Sequence, residues 1–167
     1  MHNIRRGGDM DLREKSRSQR GSLEKLVAKI PGFGGYFERD TRREADALQR
    51  RYIADTLDDV RAKIQRRMAS LKDLSAIGEW GKVDQTLIRV AQTIRFAEYG
   101  YAGFFDTMKV KDDTLDRIYD IDADILDQVL RLKEEDLEAM EPTALLETIR
   151  GMEEQFRTRK SIMEEVR

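Results

Sequence analysis

Apolar residues recur along this chain at alternating spacings of four and three, the period of a helix that buries one stripe. The clearest run is Val83, Leu87, Val90, Ile94, Ala97, Tyr101 and Phe104. It predicts a helix from about Trp80 or Lys82 to Phe104. Ile53, Leu57, Val60, Ile64, Leu71 and Leu74 predict a longer helix, from about Tyr36 or Phe37 to Leu74. At about 1.5 Å per residue it spans roughly 55 Å, with Arg67 at its polar core position. Leu48, Tyr52 and Met68 widen its stripe beyond the narrow seam of a two-stranded coil. Leu115, Ile118, Ile125, Val129 and Leu132 predict a further helix, capped by Asp112 or Asp113. Leu145, Ile149, Met152, Phe156, Met163 and Val166 predict the last, with Arg159 as its polar seam position and Pro142 in its first turn. Leu23, Leu26, Val27 and Ile30 mark a short leading helix after Ser22. Pro31-Gly32-Phe33-Gly34-Gly35 ends it, since Pro cannot continue a helix and Gly permits positive φ.

The breaks between these stripes set the topology. Ser75-Ala-Ile-Gly78 is the expected reversal, and so short a connection makes the flanking helices antiparallel. The acidic run from Lys133 to Glu141 is expected to weaken or bend the fourth helix. The fold class that follows is all-α, an antiparallel four-helix bundle with coiled-coil-like seams and a short extra N-terminal helix. Residues 1–21 hold few apolar side chains and read as a disordered tail. Residues 22–167 read as one helical domain. The leading helix is too short to be stable alone, and its own bundle is the expected docking surface.

Composition agrees with long helices: 38% of the 167 residues are charged, and there are only two Pro. No cysteine is present, which excludes disulfides and thiolate metal sites. No apolar run approaches the ~20 residues of a membrane span, and the N-terminus lacks a signal-peptide core. The expected compartment is the cytoplasm, with membrane association as the alternative. The net charge of −2 conceals an asymmetry. Residues 1–75 carry 18 Lys/Arg against 12 Asp/Glu, and residues 76–167 carry 13 against 21. Basic and acidic helices packed side by side account for this, as does head-to-tail self-association. Pairs such as Glu38/Arg42, Asp46/Arg50 and Asp59/Lys63 read as surface i, i+4 pairs.

Candidate chemistry is thin. The single histidine is His2, so the Glu-x-x-His pairs of a di-iron bundle are missing, as are Ser–His and Cys–His arrangements. Asp120-Ile-Asp122-Ala-Asp124 begins like a calcium loop, but Ile125 and Arg131 stand where Gly and Glu belong. Asp120, Asp124 and Asp127 are expected to form a solvated acidic face. Gly32-x-Gly34-Gly35 follows no strand and precedes no Gly-Lys-Ser/Thr, so it is not a phosphate loop. The arginines of the second helix raise nucleic-acid binding, which a sequence pI of about 5.6 disfavours. The expectation is no enzyme, no cofactor and no metal.

One stretch stands out. Residues 95–106 hold five of the chain's eleven Phe and Tyr and two of its eleven Gly. Its seam register makes it one end of the bundle, with Tyr99, Tyr101, Phe104 and Phe105 packed and Gly100 and Gly103 allowing close backbone approach. The other reading is a docking site for a partner. The turn containing Phe33, Gly35, Tyr36 and Phe37 is expected at the same end. Ile30-Pro-Gly-Phe-Gly-Gly-Tyr36 and Tyr99-Gly-Tyr-Ala-Gly-Phe-Phe-Asp106 resemble the Ile-Pro-Gly-Tyr-x-Gly-Tyr and Tyr-Gly-Tyr-x-Gly-Phe-Phe-Asp segments of a family of small bacterial helical proteins. Phe33 and Phe37 depart from that pattern, standing where Tyr and a variable residue are expected. The resemblance covers about residues 22–165 and implies a bacterial intracellular protein, with no catalytic role to carry over. The function expected is a helical scaffold or adaptor that self-associates or binds a protein partner. The alternative is a peripheral membrane protein inserting the Leu23–Ile30 helix with Phe33, Tyr36 and Phe37.

Overall fold

A computed structural model describes residues 21–38, 42–97 and 112–165. The described residues are almost wholly helical and contain no strand. Residues 21–29 form α1, Phe33–Glu38 α2, Arg42–Ser70 α3, Leu74–Arg95 α4, Asp112–Glu134 α5 and Pro142–Glu165 α6. A 3₁₀ turn at Leu137–Ala139 joins the last two. Residues 1–20 of the tail expected at residues 1–21, and residues 98–106 of the aromatic-glycine stretch, lie outside the described residues; Gly21 is already the first residue of α1.

Local chemistry explains most of the boundaries. Ile30 O accepts from Phe33 N at 3.2 Å across Pro31-Gly32, and Gly32 sits at φ 81°. Pro at the second position and a left-handed Gly at the third are what a type II turn requires. Gly34 and Gly35 are helical, so the turn uses one glycine, not three. The α3–α4 reversal falls at residues 71–73, earlier than Ser75–Gly78. Asp73 decides this, because its carboxylate accepts from Ser75 N and Ala76 N as an N-cap. Leu74 is therefore the first residue of α4 rather than a seam residue of α3, and it is 83% exposed. Pro142 opens α6, where its missing N–H costs nothing, and Glu141 O accepts the first helical bond from Leu145 N at 3.2 Å.

The registers of cross-helix pairs fix the directions. Arg61 meets Asp84 at 2.8 Å while Arg95 meets Asp58 at 2.7 Å, so α3 and α4 are antiparallel. Gln128 meets Gln155 at 2.7 Å and Asp122 meets Arg159 at 2.5 Å, which makes α5 and α6 antiparallel. Asp59 bonds to Lys133 at 2.9 Å, and Asp46 shares Arg159 with Asp122, so α3 and α5 run the same way. Around the ring, α3 neighbours α4 and α5, and α6 neighbours α4 and α5. The bundle is thus two antiparallel hairpins packed with like-directed helices adjacent, and α3 lies diagonally across from α6.

Most of the seam residues the spacing predicts lie in the core. Ile53, Leu57, Val60 and Ile64 of α3 pack with Val83, Leu87, Val90 and Ile94 of α4. Ile125, Val129 and Leu132 of α5 join Leu145, Ile149, Met152 and Phe156 of α6 in the same cluster. The arm formed by α1 and α2 adds Leu26, Ile30 and Phe33, all buried. Its α1 runs alongside α5, with Ser22 Oγ donating to Asp120 at 2.6 Å and Lys29 bonded to Asp127. Asp127 also meets Lys25 at 3.6 Å. The face of α5 expected to be solvated is thus partly covered, and only Asp124 of the three acids is fully exposed.

The ionic docking of α1 makes it sensitive to acid. Partial burial works to raise Asp127, but hydrogen bonding and charge from Lys29 and Lys25 outweigh it and hold the carboxyl below its ordinary value of 3.8. A depressed carboxylate contributes stability above its unfolded pKa and loses it as pH falls through the folded one. Lowering pH from about 6 to about 3 is therefore expected to cut amide protection in residues 22–29 before that of α3 or α4. Asp127→Asn is expected to remove this pH dependence. Hydrogen exchange read residue by residue checks both, and acid-insensitive protection of α1 in the parent chain would refute the assignment.

Candidate functional site: a buried ionic layer and an exposed aromatic end

The seam of α6 carries one charged residue, Arg159, and it is 2% exposed. Its Nε donates to Asp122 Oδ1 at 2.5 Å and its Nη2 to Asp122 Oδ2 at 3.1 Å, a bidentate pair. The same Nη2 donates to Asp46 Oδ1, and Nη1 approaches Met163 Sδ at 3.2 Å. Asp46 passes the chain on: its Oδ2 accepts from Arg50 Nε at 2.9 Å. Arg50 Nη1 in turn donates to the carbonyls of Ile94 and Arg95, at 3.4 and 3.1 Å, capping the C-terminus of α4. The layer therefore draws side chains from α3, α5 and α6 and backbone from α4. These two carboxylates and two guanidiniums balance in charge.

Burial and pairing oppose each other at Asp122. Complete desolvation raises its carboxyl above the ordinary value of 3.8, and the Asp46 charge adds to this. The charge and hydrogen bonds of Arg159, with help from Gln49, work the other way. Gln49 is itself buried, and its Nε2 has no hydrogen-bond partner of normal geometry among the described residues. The layer divides the interior. On its far side, Leu115 and Ile118 of α5 and Ile162 and Met163 of α6 form a separate small cluster.

Sequence spacing singles out Arg159 but misplaces its partners. Asp46 and Arg50 read as a surface pair, yet Asp46 is buried and Arg50 nearly so. A signal for them exists in the heptad count. Asp46 lies seven residues before the seam residue Ile53, and Asp122 fills the gap between Ile118 and Ile125. Seam positions holding two acids and one Arg on three helices are what a buried network needs. Arg67, the other polar seam residue, behaves differently. It is half-buried beside an open groove of about 570 Å³ that sets Lys63, Arg66 and Arg67 against Glu134, Glu135 and Asp136. Its Nε has no hydrogen-bond partner among the described residues. The mixed charge of that groove selects no ligand class.

The residues singled out for interaction are only partly described. Phe33 is core, and Gly35 is exposed with open space around it. Tyr36 and Phe37 lie in α2, with side chains outside the described set, and Tyr99, Gly100, Tyr101, Gly103, Phe104 and Phe105 lie outside it altogether. The helix expected to reach Phe104 ends at Arg95. Arg50 takes its last carbonyls, and Arg95 is held by Asp58 and Asp55, which raise its pKa against partial desolvation. The chain thus leaves the helix at Phe96, which is 69% exposed. That is an unusual position for a large aromatic ring in a chain that exposes only two other large apolar side chains among its described residues, Val27 and Leu74.

No known protein family, curated protein or solved structure matches this chain. Among the described residues no group of three or more His, Asp or Glu is placed to hold a metal ion. No described helix is long and apolar enough to cross a membrane. Of the apolar residues named for bilayer insertion, Leu26, Ile30 and Phe33 are buried, Leu23 is partly buried and Val27 is exposed.

Proposed function

We propose that this protein is a non-enzymatic bacterial cytoplasmic scaffold or adaptor, which binds a protein partner or a second copy of itself through its aromatic end. The observation that carries the reading is Phe96. It stands exposed where α4 stops, at the start of a stretch that contains four more aromatic residues. Large aromatics are the side chains most enriched at the centres of protein interfaces, and leaving one in water is unfavourable unless something covers it. The polar network behind it supports the same reading. Arg50 and Arg95 hold the end of α4 rigidly on α3, so the ring is presented on a fixed element.

The test compares the parent chain with Phe96→Ser. Because the ring is already exposed, the thermal midpoint is expected to stay unchanged. Self-association measured by sedimentation, or affinity for a partner recovered from the native cell, is expected to weaken about 30-fold, a contact of roughly 2 kcal/mol. Equal association and equal capture by the two proteins would remove Phe96, and the reading with it.

A further inference from the structure

The four seams are chemically alike. Three are rows of Ile, Leu and Val and the fourth, on α6, adds Met152, Phe156 and Met163, all at four-three spacing, so the apolar residues distinguish one packing of the two hairpins from another only weakly. A packing with one hairpin turned end for end would use the same apolar stripes. The ionic layer distinguishes the two arrangements. Helices α3 and α6 are diagonal and their backbones do not pack, yet Arg159 crosses the bundle axis to reach Asp46 while it holds Asp122 on α5. Arg159 is the largest of the fully buried side chains. Its five N–H groups have a fixed planar fork, so both acids must arrive at the right level and on the right sides. Turning one hairpin over carries Arg159 to the opposite end of the bundle from Asp46, because Asp46 lies near the start of α3 and Arg159 near the end of α6.

We propose that the Asp46–Asp122–Arg159 layer, completed by Arg50 on the end of α4, is a pairing lock: it selects the observed arrangement of the two hairpins against packings the aliphatic seams would also accept. A buried charge set of this kind adds little net stability over an apolar replacement, and its effect lies in what it excludes. The proposal stands independently of the reading of Phe96.

The test replaces the three buried members of the layer, with Asp46→Leu, Asp122→Leu and Arg159→Met together, and leaves Arg50 on the carbonyls of Ile94 and Arg95. Cysteine probes are simple to place because the chain has none. Arg89 and Glu153 are in contact across α4 and α6, so Arg89→Cys with Glu153→Cys reports the observed neighbours. The lock predicts that the triple variant folds with undiminished helicity and equal or greater resistance to urea. It also predicts that the 89–153 cross-link falls about twofold or more, as alternative packings share the population, and that amide resonances multiply. A triple variant with one set of resonances and full cross-linking overturns the proposal. So does one that fails to fold, because the layer would then supply stability rather than selection.

Discussion

Arg159→Met is expected to lower the stability of this protein by about 3–5 kcal/mol at neutral pH, one of the largest single effects available in the chain. The loss comes from what remains, not from the contacts removed. Asp122 and Asp46 stay buried, Asp46 still bonded to Arg50 but Asp122 stripped of its guanidinium. Small domains have only about 5–15 kcal/mol in total, so the variant sits near the edge of folding. The pH dependence identifies the cause. Asp122 is already raised by desolvation with Arg159 opposing, and removing Arg159 raises it further. Between the unfolded value and that raised folded value, the native state binds a proton the unfolded chain does not. Stability of the variant therefore increases as pH falls through that window and is lowest above it. Urea denaturation at pH 7 and pH 5 measures this. A loss below about 1 kcal/mol, or one that does not shrink on acidification, would mean the layer is not a buried charge network of this kind.

Leu87→Ala is expected to cost about 3 kcal/mol and Leu74→Ala less than about 0.5 kcal/mol, although both leucines fall on heptad seams in the sequence. Leu87 is wholly buried between the helices of the main core, so truncation loses its transfer free energy and leaves a cavity. Leu74 stands in water at the first position of α4, after the Asp73 cap. Thermal or urea unfolding of the pair checks the helix boundary and the core together. Equal costs would place the α3–α4 reversal after Leu74, where periodicity alone puts it.

The comparison of the two leucines shows where sequence periodicity stops being informative. A four-three spacing identifies an apolar stripe, but it continues across a turn if the next helix happens to start in phase. Leu71 and Leu74 stay in phase with α3, and Ala97, Tyr101 and Phe104 with α4. The helices end at Ser70 and Arg95 because of single polar groups, the Asp73 carboxylate and the Arg50 guanidinium. The Asp73 cap is local and can be read from sequence. The Arg50 cap comes from 44 and 45 residues away along the chain and cannot.

The sequence by itself determined the all-α class, the stripes that become the core, the Pro31-Gly32 turn, the Pro142 start of α6 and the presence of a charged seam position at Arg159. Each of these depends on residues within a turn or two of one another, where steric limits and the helical period act directly. Tertiary structure alone decided which helices are neighbours, that α3 and α5 run in the same direction, that Asp46 and Asp122 are buried together on Arg159, and that α4 ends at Arg95 with Phe96 exposed beyond it. Those outcomes depend on charges meeting across the bundle. A charge in the sequence carries no mark of whether water or another helix will lie opposite it.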